Sequence, residues 1–178
     1  QAAAAGVNAV QLRERDLGAG PLLELGRALR TALGSTLLIV NDRIDVALAL
    51  DADGVQLPES GMPVAAARKL LGPDRLIGRS VHSLEGALAA ARAGADYLIF
   101  GPVYTTRSHP GAPPAGREEL HEVTRAVTVP VIAIGGVNHE NARGLVLAGA
   151  AGVAVVSNIM AAASPRSAAE ALAGRLMA

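Results

Sequence analysis

The sequence predicts an α/β fold built on a parallel sheet, and two observations predict it. Short, almost continuously apolar runs alternate with Ala/Leu/Arg-rich stretches of helical period, as expected where helices cover a parallel sheet. A weak internal repeat also recurs wherever a helix returns to a strand. The candidate strands are 9–12, 36–40, 54–57, 76–80, 97–100, 131–134 and 152–156. The candidate helices fall at about 21–33, 44–50, 63–71, 83–93, 117–127, 138–148 and 164–177. The repeat reads Ala5-Gly6-Val7-Asn8, Asp51-Ala52-Asp53-Gly54-Val55, Ala93-Gly94-Ala95-Asp96-Tyr97 and Ala148-Gly149-Ala150-Ala151-Gly152, each a helix C-cap followed by the start of a strand. Its first copy puts a helix end before Gly6, so a first β/α unit is expected to be missing from this chain. With that unit restored the pattern is a (β/α)8 TIM barrel, a single domain over residues 1–178. An open doubly wound sheet is the weaker alternative, because no G-x-G-x-x-G follows a strand.

Composition narrows the function. The 178 residues carry 16 basic and 16 acidic side chains, so no net field draws nucleic acid or an anionic membrane. Hydrophobic residues make up 51% of the chain and the aromatics are Tyr97, Phe100 and Tyr104, which calls for an aliphatic core and leaves no base-stacking platform. The absence of cysteine removes disulfides, thiolate catalysis and cysteine-type zinc sites. The four histidines include no i,i+4 pair, which argues against a zinc enzyme. Apolar runs fall well short of the ~20 residues of a membrane helix. With no signal peptide either, the expected location is the cytoplasm. Lys69, the one lysine, lies in a candidate helix, which excludes a Schiff-base lysine on a barrel strand.

In a barrel of this type the active site lies at the C-terminal ends of the strands. Polar residues gather there: Gln11, Arg13 and Arg15, then Asn41 and Asp42, Gln56, Ser80 and His82, the loop 101–116, Gly135-Gly136, and Val156-Ser157-Asn158. The two turns Gly135-Gly136 and Val156-Ser157 end the last two strands, where backbone amides and a short following helix form the usual phosphate cradle of such barrels. Arg13 is the candidate anion ligand. Asp42 suits either magnesium or, by its position alone, the N-cap of the helix starting near Ile44. Proton transfer falls to His82 or His109, whose unperturbed pKa lies near neutrality.

These residues resemble the thiamine phosphate synthase/TenI family. The resemblance rests on Gln11-Leu12-Arg13-Glu14-Arg15, Val40-Asn41-Asp42-Arg43, Asp53-Gly54-Val55-Gln56-Leu57, Gly78-Arg79-Ser80-Val81-His82-Ser83, Gly101-Pro102-Val103-Tyr104-Thr105-Thr106, Ala133-Ile134-Gly135-Gly136 and Ala154-Val155-Val156-Ser157, in order along almost the whole chain. It implies a barrel acting in the thiazole branch of thiamine biosynthesis. It further implies that Gln11, Arg13 and Asn41 contact a pyrimidine diphosphate, Ser80 and Thr106 its pyrophosphate, and Gly136 and Ser157 a thiazole phosphate, with Asp42 one of two magnesium aspartates. Gly61 stands in register with the second aspartate, and His109 with a lysine of the synthases. The strings around Pro58 and His82 lie closer to the TenI branch. The expected activity is therefore aromatising tautomerisation of a carboxythiazole phosphate, with His109 as base and no cofactor. Thiamine phosphate synthase with magnesium is the first alternative, and a non-catalytic or regulatory ligand-binding barrel the second. The partners expected are a small-molecule thiazole phosphate and, compatibly, further copies in a homo-oligomer.

Overall fold

The computed structural model describes residues 1–106, 111 and 113–177. Seven strands, β1 (Ala9–Leu12), β2 (Leu37–Asn41), β3 (Gly54–Leu57), β4 (Leu76–Val81), β5 (Tyr97–Phe100), β6 (Val131–Ile134) and β7 (Gly152–Ala154), pair in sequence order, all in parallel. Between them run α1 (Ala19–Leu33), α2 (Ile44–Ala49), α3 (Val64–Leu71), α4 (Leu84–Arg92), α5 (Gly116–Ala126) and α6 (Ala142–Leu147), followed after β7 by α7 (Ser157–Met160) and α8 (Pro165–Met177). This is a TIM-barrel-like α/β fold whose parallel sheet curls into a half-barrel. Before β1 lies only a 3-10 turn, Ala3–Ala5, closed by Gly6 in the left-handed region with its N–H donating to Ala3 O. Helix α8 touches this turn as well as α6 and α7, so the two ends of the chain meet beside the sheet edges.

The strand period explains the core. Side chains of register partners share a sheet face, and alternate residues switch face. Leu38, Val40, Val55, Leu57, Ile77, Val81, Leu98, Phe100, Val131 and Ala133 turn to the helices and are buried. The other face follows from the register Gln11↔Ile39, Asn41↔Gln56↔Gly78↔Tyr97 and Ser80↔Ile99. It is the concave face, and polar groups collect on it.

Two of the four repeat copies carry an aspartate with one structural role. Asp53 Oδ2 accepts from the N–H of Leu38 at 2.7 Å and from Arg30 of α1 at 2.8 Å. Asp96 Oδ2 likewise accepts from the N–H of Ile77 and from Arg68 of α3. Each aspartate thus ties the start of its own strand to the preceding strand and helix, at the end of the sheet opposite the site. Burial works upward on the Asp53 carboxyl, but the Leu38 N–H and then the Arg30 guanidinium outweigh it and hold the group below its ordinary value.

Several expected boundaries shift by one or more residues, and two of the shifts have a visible cause. Strand β7 ends at Ala154 because the chain turns at once into α7. Helix α6 starts at Ala142 rather than 138, because Asn138 Oδ1 accepts from the N–H groups of Glu140 and Asn141 and holds the segment in a turn.

Candidate active site

At the C-terminal ends of β1 to β4 the polar side chains pair across strands. Gln11 Nε2 donates to Asn41 Oδ1 at 2.9 Å, and Gln56 Nε2 donates to Ser80 Oγ at 3.0 Å. Gln56 is only 1% exposed, the one buried polar side chain among the described residues. Its Oε1 has no hydrogen-bond partner among the described residues. Leaving such a buried acceptor unpaired costs on the order of 1–3 kcal/mol, so packing alone does not account for the amide. Glycine at position 78 makes its place: a Cβ there would stand 2.1 Å from Gln56 Oε1 and 2.2 Å from Tyr97 Cζ. The Tyr97 hydroxyl, pushed above its ordinary value first by burial and then by Asp96, stays protonated.

Asp42 does not cap α2. The N-cap position is Arg43, with no side-chain cap bond, and Arg43 instead pairs with Asp45 at 2.6 Å. Asp42 itself adopts φ +62°, with its N–H donating to Gln56 O at 2.9 Å. Aspartate tolerates this region better than most residues, and such conformations gather at functional sites. The released carboxylate faces the turn after β3, where a Cβ on Gly61 would lie 3.1 Å from Asp42 Oδ1. That turn is braced from β4. Arg79 donates to the carbonyls of Met62 at 2.8 Å and Glu59 at 2.5 Å, and His82 Nδ1 meets Glu59 Oε2 at 2.7 Å. His82, half-exposed, therefore has one ring nitrogen committed to the turn.

The two-aspartate magnesium site does not fit the residues present. Glycine occupies the second position, Glu59 is engaged by His82, and no cluster of three or more His, Cys, Asp or Glu capable of holding a metal occurs among the described residues.

Across the mouth, Gly135 (φ +95°) and Gly136 (φ +65°) bring the β6 turn against the segment after β5. Val103 N–H donates to Ile134 O and Tyr104 N–H to Gly135 O, while a Cβ on Gly136 would stand 2.6 Å from Thr105 O. Glycine is thus required by chain crossing, whatever binds there. The pairing Ile134↔Ala154 sets this turn beside Val156 and Ser157, both exposed at the start of α7. Thr106 is half-buried at the end of the described β5 segment. Arg13 sits exposed beyond β1; burial and then the charge of Arg15 pull its pKa down, yet a guanidinium remains cationic. His109 lies outside the described residues. The sequence marks Gln56 merely as polar and does not reveal its burial, the bracing by Arg79 or the partner Glu59 of His82. A lone amide in an otherwise apolar strand was the available signal for the first.

A barrel-like parallel β/α sheet thus gathers amides, hydroxyls and a carboxylate at one end, the arrangement of a small-molecule site. The chain matches the family described as thiamine monophosphate synthase over residues 1–159. It is 47% identical over 170 residues to the thiamine-phosphate synthase of Roseiflexus castenholzii, covering 94% of this chain and 75% of that protein. With the thiamine-phosphate synthase of Moorella thermoacetica it shares 44% over 174 residues, 96% of this chain and 83% of that one. The solved thiamine phosphate pyrophosphorylase of Pyrococcus furiosus superposes with a TM-score of 0.90 at 41% identity, covering 99% of this chain and 86% of that one. The chain belongs to the thiamine monophosphate synthase family. These relatives overturn the tautomerase expected from the strings around Pro58 and His82: proteins similar along nearly the whole chain are named synthases. The isomerase assignment falls with it.

Proposed function

We propose that this chain is a thiamine-phosphate synthase, joining a pyrimidine diphosphate to a thiazole phosphate with release of pyrophosphate. Its membership in the family supports the reading, and one structural observation carries it: the Gln11–Asn41 pair, the Gln56–Ser80 pair and the Asp42 carboxylate converge at one end of the sheet. In this reading the coupled amides of Gln11 and Asn41 hold the pyrimidine. The hydroxyls of Ser80 and Thr106, with Arg13, face the diphosphate. The adjacent turns Gly135-Gly136 and Val156-Ser157 take the thiazole phosphate on backbone amides, which bring donors without side-chain charge.

The reaction breaks the bond between the pyrimidine and the diphosphate and forms one to the thiazole. Negative charge grows on the departing oxygen, and donors fixed beforehand stabilise it without reorganising. Holding both heterocycles in one mouth supplies proximity. Purified protein given both substrates should form thiamine phosphate, and Asn41→Ala should lower kcat/KM by about tenfold or more as the pyrimidine loses its fixed partner. An undiminished rate in Asn41→Ala contradicts this placement of the pyrimidine.

A further inference from the structure

We infer that Gln56 is a positioning residue that fixes the direction of the Ser80 hydroxyl proton, so that Ser80 presents it to an anion at the barrel mouth. The inference rests on the synthase reading, in which that anion is the diphosphate.

A serine hydroxyl has one proton and two acceptor lone pairs. Gln56 Nε2 donates to Ser80 Oγ at 3.0 Å and so occupies one lone pair, which leaves the proton pointing away from the amide. The opposite amide orientation would make Ser80 the donor to Gln56 Oε1 and take the proton from the mouth. In the observed arrangement the Ser80 proton is left for an anion at the mouth, and Oε1 stays without a partner among the described residues. Register supports the direction. Gln56 pairs with Gly78, and Ser80 lies two residues further along β4 on the same face, one step nearer the C-terminal end. Gln56 is buried while Ser80 is half-exposed, so the donor chain runs from the interior to the mouth. The missing Cβ of Gly78 admits the amide, and the Tyr97 ring closes the far side. A methionine of similar length would fill this space without leaving an acceptor unpaired, so the amide answers to Ser80 rather than to packing.

The test is a double-mutant cycle read by calorimetric titration with inorganic pyrophosphate, with and without magnesium, on Gln56→Met, Ser80→Ala and the double variant. Thermal unfolding of each reports whether the fold is kept. Gln56→Met should weaken pyrophosphate about tenfold, the usual scale of one hydrogen bond to an anion, and should add nothing in the Ser80→Ala background. Gln56→Glu serves as a second probe, because its carboxylate takes the Ser80 proton; its loss should exceed that of Gln56→Met and shrink when Ser80 is absent. Equal losses with and without Ser80, unchanged affinity in Gln56→Met, or no pyrophosphate binding by the parent protein would each overturn the inference. Coupling between Gln56 and Ser80 in a protein that forms no thiamine phosphate supports it while the synthase reading fails.

Discussion

Gly78 shows how one missing carbon shapes the site. The space its Cβ would take holds the buried Gln56 amide and the half-buried Tyr97 ring on the concave face. Gly78→Ala forces one of them out of place, and overpacking of this kind destabilises by about 1–3 kcal/mol. Urea unfolding checks this; a variant as stable as the parent would mean that the two side chains yield without strain. Gly61 makes the complementary case at the rim. Its Cα faces Asp42, so Gly61→Asp sets two carboxylates side by side. Without metal they repel; with magnesium they form a hard oxygen site. The variant should bind magnesium roughly tenfold more tightly than the parent, seen as a magnesium-dependent rise in its unfolding temperature. A magnesium response equal to the parent's would show that the turn holds the new carboxylate away.

Among the elements, the aspartates at the starts of β3 and β5 tie strands to helices. The folded-state pKa of Asp53 lies below its ordinary value, so its contribution is present above that ordinary value and is lost as pH falls through the lowered one. Asp53→Asn should therefore unfold at a lower temperature than the parent at pH 7, with the gap narrowing as pH falls below about 4. A gap independent of pH would mean that the carboxylate charge contributes nothing. Elements were also the most legible scale in the sequence. Strands β1, β3, β5 and β6 run over the residues their apolar patterns mark, because burial against helices leaves those patterns continuous. The sequence pattern extends helix α6 too far because the Asn138–Asn141 turn uses polar residues that a helix start also favours. Asp42 misled in the same way: its spacing suits an N-cap, and only the backbone at φ +62° reveals otherwise. The burial of Gln56 depends on the register of three strands and the absence of one side chain, neither of which a linear pattern records.

At the scale of the whole molecule, the curled sheet brings residues from positions 11 to 157 to one end, while the aspartate ties hold the other. Family likeness along the chain made the family and the barrel-like fold readable in advance. The choice between the two chemistries of the family turned on a few strings near Pro58 and His82, and these sit in a braced turn at the rim rather than among the groups on the concave face. Synthesis differs from isomerisation in its stoichiometry: only synthesis consumes two substrates and releases pyrophosphate. The most direct measurement is pyrophosphate release by the purified protein supplied with the pyrimidine diphosphate, with and without the thiazole phosphate, in the presence of magnesium. A synthase gives one pyrophosphate for each thiamine phosphate formed, and release that depends on both substrates. Isomerisation of a carboxythiazole phosphate with no pyrophosphate released from the pair would contradict it.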